Sequence, residues 1–141
     1  MRTPPISPAS RDRLAGRLVV ASLSGGKDST ALALLLKELQ IPHVRVFADT
    51  GFEAPETYAY LDVLRERLGP INVVRNEALW EGALPGEEGM LTLIRRKRMF
   101  PSRLMRFCTQ KLKLHPIRDF VRTLTDRGED IVNAVGVRAA E

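Results

Sequence analysis

The chain has 141 residues, of which 44% are hydrophobic and 28% charged, a composition that suits one globular domain with a buried core. Its longest apolar run, residues 31–36, is far too short to span a bilayer, and no apolar segment follows the basic N-terminus as a signal peptide requires. A single cysteine, Cys108, excludes an internal disulfide. We therefore expect a cytoplasmic protein without a membrane segment, and its net charge of +5 favours anionic partners.

Turn residues and hydrophobic spacing divide the chain into an arm and one domain. Residues 1–16 contain Pro4, Pro5 and Pro8 and are predicted to form an irregular arm, followed by the domain at residues 17–141. Apolar, β-branched segments predict strands at residues 17–23, 44–48, 71–75 and 131–137. Helical spacing predicts helices at residues 29–39, 55–68 and 90–99, and a last one within 112–127 that starts near Pro116. Residues 80–89 are predicted to form a loop.

The alternation of strands and helices predicts the fold class. Right-handed crossovers between consecutive strands give a parallel sheet with helices on both faces, which is an α/β three-layer sandwich of Rossmann-like type. In such sheets ligands bind at the carboxyl ends of the strands, so the residues that follow each predicted strand are the first candidates for a site.

The first predicted strand and helix are joined by Ser24-Gly25-Gly26-Lys27-Asp28-Ser29. Glycines allow the backbone to turn sharply, successive N–H groups form a nest for an anion, and the start of a helix adds partial positive charge. Lys27 adds a mobile charge, and the hydroxyls of Ser24, Ser29 and Thr30 add donors. A glycine turn followed by a serine helix cap is the alternative. The complete string between strand and helix favours phosphate binding, although its spacing differs from that of a Walker A loop.

Asp49 follows the second predicted strand and should lie at the same edge of the sheet as this loop. A carboxylate there can hold Mg²⁺ against phosphate oxygens, and Asp28 is a second candidate ligand. The alternatives are that Asp49 starts a turn before Gly51 and that Asp28 caps the helix. We favour the metal-binding interpretation for Asp49 and leave both open for Asp28.

Residues 95–122 form a basic block that contains a single acid, Asp119. Its cations are Arg95, Arg96, Lys97, Arg98, Arg103, Arg106, Lys111, Lys113, Arg118 and Arg122. Such a block attracts the phosphates of a nucleotide or a nucleic acid, whereas a solvated helix face is the plainer interpretation. Its presence in the same small domain as the phosphate loop favours anion binding, with a nucleic-acid or protein partner as a further prediction.

Four segments of the chain, taken together, resemble one known family. The loop is similar to the S-G-G-x-D-S motif (PP-loop) of the ATP pyrophosphatase superfamily. Residues 49–57 (D-T-G-F-E-A-P-E-T) resemble the D-T-G-x-x-F-P-E-T segment of the phosphoadenosine phosphosulfate (PAPS) reductase family within it. Residues 106–113 (R-F-C-T-Q-K-L-K) resemble its W-C-T-x-x-L-K segment, and residues 135–141 (V-G-V-R-A-A-E) its G-x-R-x-x-E-S segment. The four motifs occur in the order of that family.

The resemblance implies an adenine nucleotide alpha hydrolase-like fold that binds ATP or an adenosine phosphosulfate with Mg²⁺. The implied reaction is adenylyl transfer with cleavage between the α- and β-phosphates. Its catalytic residues would be Lys27, Asp28 and Asp49, and the two aspartates would hold the metal. The nucleotide and its phosphates would be bound by Ser24, Gly25, Gly26, Lys27, Asp28, Ser29, Thr30, Thr50, Gly51, Arg106, Lys111, Lys113, Gly136 and Arg138. Cys108 is interpreted as a small buried hydrophobe rather than a reactive thiolate.

The sequence also departs from the pattern of the family. No segment resembles the E-C-G-[IL]-H sequence that carries the redox cysteine of the reductases, and one cysteine cannot ligate an iron–sulfur cluster, so none is expected. Ala54 and Phe107 stand where the family has Phe and Trp. The family continues beyond the position of Glu141 with a further strand, which leaves a fragment, a truncated product and a short variant as alternatives.

Three functions therefore stay open. The first is an ATP pyrophosphatase or adenylyltransferase, the second is a reductase whose redox cysteine lies outside this chain, and the third is a non-catalytic module that binds nucleotide or nucleic acid. We favour the first, in a homo-oligomer or as a subunit of a complex.

Overall fold

A computed structural model describes residues 6–137, and its centre is a sheet of four parallel strands. The strands are β1 (Leu18–Leu23), β2 (His43–Ala48), β3 (Ile71–Val74) and β4 (Ile131–Ala134). Their order in the sheet is β3-β2-β1-β4, so the chain moves outward from β1 in one direction and then returns to its other side. The predicted α/β fold with a parallel sheet is confirmed, and the reversal of strand order lies between β1 and β4.

The helices alternate with these strands. They are α1 (Pro8–Leu14), α2 (Lys27–Glu38), α3 (Pro55–Leu68), α4 (Met90–Lys97), α5 (Phe107–Thr109) and α6 (His115–Asp126). A short 3₁₀ turn, Glu77–Leu79, lies in the connection between β3 and α4. None of the helices in the described part of the chain is both long enough and apolar enough to cross a membrane.

The core lies on both faces of the sheet. On one face, Leu23 and Phe47 pack with helices α2 and α3 through Ala33 and Leu61, all nearly inaccessible to solvent. On the other face, helix α6 contacts β2, β3 and β4. Its Ile117 lines a cavity together with Ser22. The side chain of Ser22 points away from α2, because side chains alternate between the two faces along a strand. The structure is therefore a three-layer sandwich, as the alternation of elements predicted.

The N-terminal arm is more regular than its prolines suggested. Residues 8–14 form helix α1, in which Ser7 is the N-cap and accepts a hydrogen bond from the backbone N–H of Ser10 at 3.1 Å. Pro8 stands in the first turn, where a proline lacks no hydrogen bond and its fixed φ suits a helix. The prediction of an irregular arm was therefore wrong for these residues, because a proline that starts a helix was interpreted as one that prevents it.

The last helical region starts well before Pro116, where the sequence had placed its beginning. Helix α5 starts at Phe107 and continues through a five-residue π-helical turn, Gln110–Leu114, into α6. In a regular α-helix the ring of Pro116 would clash with the carbonyl of Leu112, and its nitrogen could not donate a hydrogen bond. A wider turn immediately before the proline relieves that conflict, so the helix continues through it. Such turns often occur at functional sites.

Candidate nucleotide-binding site

The predicted phosphate loop lies between β1 and α2 and is held closed by its own serines. The Ser29 hydroxyl accepts a hydrogen bond from the backbone N–H of Ser24 at 3.1 Å and donates to the carbonyl of Gly26 at 3.2 Å. The hydroxyls of Ser24 and Ser29 are 3.2 Å apart, and Thr30 donates to the same Gly26 carbonyl at 2.9 Å. The side chains of Ser29 and Thr30 thus support the shape of the loop in addition to any contact with a ligand.

The start of helix α2 has no side-chain cap. Its N-cap is Gly26, which has no side chain that could accept a hydrogen bond from the first N–H groups of the helix. Asp28 is the second residue of the helix rather than its cap, so the capping alternative for Asp28 was wrong. Gly25 has a φ of +82°, which favours glycine, and a Cβ there would lie 3.0 Å from Thr57. Exposed Lys27 begins the helix.

The segment that follows β4 passes directly over this helix start. A Cβ on Gly136 would lie 2.5 Å from the carbonyl oxygen of Asp28 and 2.7 Å from the backbone nitrogen of Ser29. Only a residue without a side chain allows two backbones to approach so closely. Gly136 therefore lies against the predicted phosphate loop, whereas Arg138 lies outside the described residues.

Asp49 lies at the end of β2, and its carboxylate is held by two donors. The backbone N–H of Gly51 and the hydroxyl of Tyr58 both donate to Oδ1, at 2.8 and 2.7 Å. The first of these bonds forms the turn that the sequence offered as the plainer interpretation of Asp49. Within residues 6–137 both hydrogen bonds to this carboxylate end on Oδ1, which fixes the orientation of Oδ2.

The pKa of the Tyr58 hydroxyl reports on its hydrogen bond to Asp49. Burial of the ring, followed by the hydrogen bond to Asp49 and the charges of Asp49 and Glu53, raises the pKa of Tyr58 to about 12. Because the folded state favours the neutral phenol, the contribution to stability is complete below the ordinary pKa of 10.0 and is lost as the pH rises through about 12.

We expect this pKa to be visible in the Tyr60→Phe variant, in which Tyr58 is the one tyrosine left. Its tyrosinate absorbance should rise with a midpoint near pH 12, and the further change Asp49→Asn should lower that midpoint. Circular dichroism at each pH checks that the chain stays folded. A midpoint near 10.0 in the folded protein would contradict the contact.

The turn after Asp49 is crossed closely by the segment that leads into α4. The backbone N–H of Met90 donates to the carbonyl of Thr50 at 2.8 Å. A Cβ on Gly51 would collide with the carbonyl of Glu88, and one on Gly89 would collide with that of Thr50. The indole of Trp80 lies against both glycines. The position of the Asp49 turn therefore depends on a segment far from it in the sequence.

Because of this crossing, we expect Gly89→Ala to lower the free energy of unfolding, measured by urea denaturation, by about 2 kcal/mol. The added Cβ would collide with the backbone carbonyl of Thr50, and the φ of +83° is unfavourable for any residue with a side chain. Gly86→Ala is the matched control, since its φ is +79° but no atom lies within 4 Å of the added Cβ. The control should lose only about 1 kcal/mol. Equal losses in the two variants would mean that the crossing contributes nothing.

A cavity of about 250 Å³ lies at the carboxyl end of the sheet, between the phosphate loop and the last helical region. Its wall combines the ends of β1 and β2, the segment after β4 and the π-helical turn. The lining residues are Ser22, Leu23, Ser24, Ser29, Phe47, Ala48, Glu53, Thr109, Lys113, Leu114, Ile117, Val135 and Gly136. The structure thus brings four of the predicted residues, Ser24, Ser29, Lys113 and Gly136, together around one space.

None of the other predicted residues within the described range 6–137 lines this cavity. Arg106 lines a neighbouring cavity of about 420 Å³, which shares Thr109 and Leu114 with the first. The backbone carbonyl of Lys111 accepts a hydrogen bond from Asn76 at 2.9 Å, which ties the π-helical turn to the end of β3. Cys108 is partly buried and packs against the cluster of Leu79, Leu93 and Leu112, in agreement with its interpretation as a small hydrophobe.

Comparison with known proteins identifies the family. The description "Phosphoadenosine phosphosulfate reductase domain" belongs to the family profile that matches residues 18–141. The chain belongs to the PAPS reductase family. The prediction from four short motifs is therefore confirmed over nearly the whole chain.

Two relatives in this comparison are longer proteins. A phosphoadenosine 5′-phosphosulfate reductase of Alkalilimnicola ehrlichii is 40% identical over 94 residues, which cover 62% of this chain and 38% of that protein. A 37.8 kDa protein of Escherichia phage 186, named only as uncharacterised, is 52% identical over 52 residues, which cover 37% of this chain and 16% of that protein. The chain therefore spans well under half the length of either relative.

Several residues of this PAPS reductase-family site were missed from the sequence. Glu53 lines the cavity and accepts a hydrogen bond from Thr50 at 3.0 Å, and a second acid four residues after Asp49 was a signal that could have identified it. Tyr58 was not predicted to contact Asp49. Trp80 and Gly89 had no local signal, because their role arises from a contact between distant segments.

Proposed function

We propose that this PAPS reductase-family domain binds ATP and cleaves it between the α- and β-phosphates, with transfer of the adenylyl group to an acceptor. The observation that carries the proposal is the uncapped start of α2 behind the Ser24–Ser29 loop, which adjoins the cavity. A helix start whose N-cap has no side chain, together with the helix dipole, favours a bound phosphate chain. Family membership makes a nucleotide the expected anion.

Different residues around the cavity have different proposed roles in the reaction. The loop would hold the β- and γ-phosphates, and Lys27 would stabilise the charge that develops on the departing pyrophosphate. An acceptor oxygen attacks the α-phosphorus, and the bond from that phosphorus to the bridging oxygen of the β-phosphate breaks. With water as acceptor, the products are AMP and pyrophosphate. The positive charge of Lys113 on the opposite wall would add to this stabilisation.

Asp49 and Asp28 are proposed to hold Mg²⁺ with the phosphates. Within residues 6–137, no cluster of three or more His, Cys, Asp or Glu side chains could hold a metal ion by itself. Carboxylate oxygens suit Mg²⁺, which is commonly bound through one or two carboxylates together with substrate phosphates. The ion would neutralise charge on the phosphate oxygens, and the fixed Oδ1 of Asp49 leaves Oδ2 as the proposed ligand atom.

The experiment is an analysis of products from ATP and Mg²⁺ by anion-exchange chromatography, with and without candidate acceptors such as sulfate, FMN and DNA. We expect AMP or an adenylylated acceptor together with pyrophosphate, and loss of both in Lys27→Ala. ADP and orthophosphate as the products would contradict the proposal.

A second candidate is reduction of an adenosine phosphosulfate, which is favoured by the name of the Alkalilimnicola ehrlichii relative. In that reaction a dithiol would be oxidised to a disulfide as PAPS is converted to sulfite and adenosine 3′,5′-bisphosphate. The cysteine for this step would have to come from outside the 141-residue chain, because Cys108 packs against the Leu79, Leu93 and Leu112 cluster. Release of sulfite from PAPS and a dithiol by this chain alone would require Cys108 to react and would overturn its structural interpretation.

A further inference from the structure

The first cations of the basic block are engaged within the protein. Arg95 donates to both carboxylate oxygens of Glu87, at 2.9 and 2.8 Å. Arg96 donates to two backbone carbonyls in the connection that precedes α4, at 2.7 and 3.1 Å. The ammonium group of Lys97 lies 5.8 Å above the ring of Phe107. These three side chains therefore serve to hold α4 in position.

The cations that follow have no such role. Across residues 6–137, no ion pair or side-chain hydrogen bond occupies the other basic side chains of the block. They are Arg98, Arg103, Arg106, Lys111, Lys113, Arg118 and Arg122. No described residue pairs with these charges, and Arg98, Arg103 and Arg106 all belong to the one exposed stretch between α4 and α5. We call this stretch, residues 98–106, the basic segment.

Apolar side chains alternate with these arginines and face solvent. Phe100 is 77% exposed, Leu104 is 92% exposed and Met105 is 48% exposed. A segment that only needed to be solvated would not place so much apolar surface in water. Single-stranded nucleic acid matches both features, because its phosphates pair with arginines while its unstacked bases offer flat apolar faces to an aromatic ring.

The basic segment also leads into the nucleotide site. Leu104, Met105 and Arg106 line the 420 Å³ cavity, which shares Thr109 and Leu114 with the cavity beside the phosphate loop. The two cavities therefore adjoin each other at Thr109 and Leu114. A strand that followed the basic segment would run toward a cavity whose loop is already suited to phosphate.

We propose that the basic segment, with the cavity that adjoins it, binds single-stranded nucleic acid and directs the strand toward the nucleotide cavity. This interaction goes beyond the proposed cleavage of ATP and does not depend on it. The exposed ring of Phe100 favours nucleic acid over an acidic protein. Acidic side chains would pair with the arginines but would leave Phe100 without a stacking partner.

The test is fluorescence anisotropy of a labelled single-stranded oligonucleotide with the 141-residue chain. Binding should weaken by about 100-fold between about 50 and 200 mM salt if about five phosphates are contacted. The double variant Arg98→Ala/Arg103→Ala should weaken binding by about tenfold and reduce the logarithmic salt slope by about 1.4. Arg11→Ala/Arg13→Ala is the control, since it removes the same charge from exposed positions on α1 and should have little effect.

Phe100→Ala tests the proposed stacking of a base on the aromatic ring without any change of charge. It should weaken binding by about fivefold to 100-fold, as expected for loss of one stacked base, with the salt slope unchanged. Circular dichroism and ATP binding in each variant separate a folding defect or a failure of the phosphate loop from a failure of this surface.

Three results would overturn the proposal. The first is an equal loss of affinity in the Arg11/Arg13 control, which would reduce the effect to overall charge. The second is displacement of the oligonucleotide by polyglutamate as readily as by an unlabelled strand, which would point to an acidic protein. The third is tighter binding to the corresponding duplex with no effect of Phe100→Ala, which would exclude recognition of unstacked bases.

Discussion

Asp49→Asn is expected to lower the rate of ATP cleavage by about 10³-fold, because it removes the negative charge proposed to hold Mg²⁺ against the phosphates and keeps the shape of the turn. The amide oxygen can still accept the hydrogen bonds from Gly51 and Tyr58 that hold Oδ1. The stability of the fold should therefore change little. Steady-state pyrophosphate release as a function of Mg²⁺ concentration measures the effect, together with urea denaturation.

The control for this variant is Asp62→Asn. Asp62 is an exposed residue of α3 whose carboxylate pairs with Arg65 at 2.6 Å, and such surface pairs contribute little to stability. Its removal changes the net charge by the same amount at a residue that does not line the cavity. If Asp49→Asn cleaves ATP at the rate of the Asp62→Asn control, then Asp49 only forms a turn and the proposed metal site is wrong.

Gly136→Ala is expected to weaken ATP binding by about 100-fold. This is the loss of affinity that corresponds to the energetic cost of a steric collision in a well-packed region. The added Cβ would lie 2.5 Å from the carbonyl oxygen of Asp28. The Cβ is bonded directly to the backbone and the carbonyl is part of it, so neither can rotate away. Either the segment after β4 moves off the helix start or the first turn of α2 is displaced. Both responses disturb the N–H groups proposed to hold the phosphates.

Isothermal titration with ATP measures this loss, and Val137→Ala is the neighbouring control. Val137 is 79% exposed, so its truncation should leave the affinity near that of the unaltered chain. Urea denaturation of both variants distinguishes a local effect at the loop from general unfolding. An unchanged affinity in folded Gly136→Ala would mean that the close approach is unrelated to nucleotide binding.

The parts of the fold that carried local signals were predictable from the sequence. Helix α3 begins at Pro55 and ends at Leu68, both as predicted, because a proline in the first turn and the Gly69-Pro70 pair mark its two ends. Helix α2 begins at Lys27, two residues before the predicted start, because Gly26 rather than a serine precedes its first turn. The four strands were recognised from their β-branched residues, with differences of one to three residues at their ends.

Elements that depend on non-local packing were not predictable in the same way. A helix that begins at Phe107 and passes through Pro116 contradicts the local preference of proline and exists because a π-helical turn accommodates the ring. The crossing of Gly89 over Thr50 joins segments about 40 residues apart. No spacing rule within one segment reports such a contact, since it depends on where the sheet brings the two backbones.

In the candidate site too, the features with local sequence signals were predictable and those that depend on non-local packing were not. The Ser24–Ser29 loop and Asp49 were identified because each follows a strand and consists of residue types with a clear chemical task. The sequence could not indicate that Tyr58 fixes Oδ1 of Asp49, or that Lys113 lines the cavity while Arg106 lines the adjoining one. Those distinctions depend on the orientation of side chains along the last helical region.

The loop between β1 and α2 is proposed to hold the phosphates of a nucleotide. A crystal structure of the chain with ATP and Mg²⁺ would test that proposal. We expect the β- and γ-phosphates within hydrogen-bond distance of the backbone N–H groups at the start of α2, with Mg²⁺ between them and Asp49. Phosphates bound instead along residues 98–106, with the loop unoccupied, would contradict the claim.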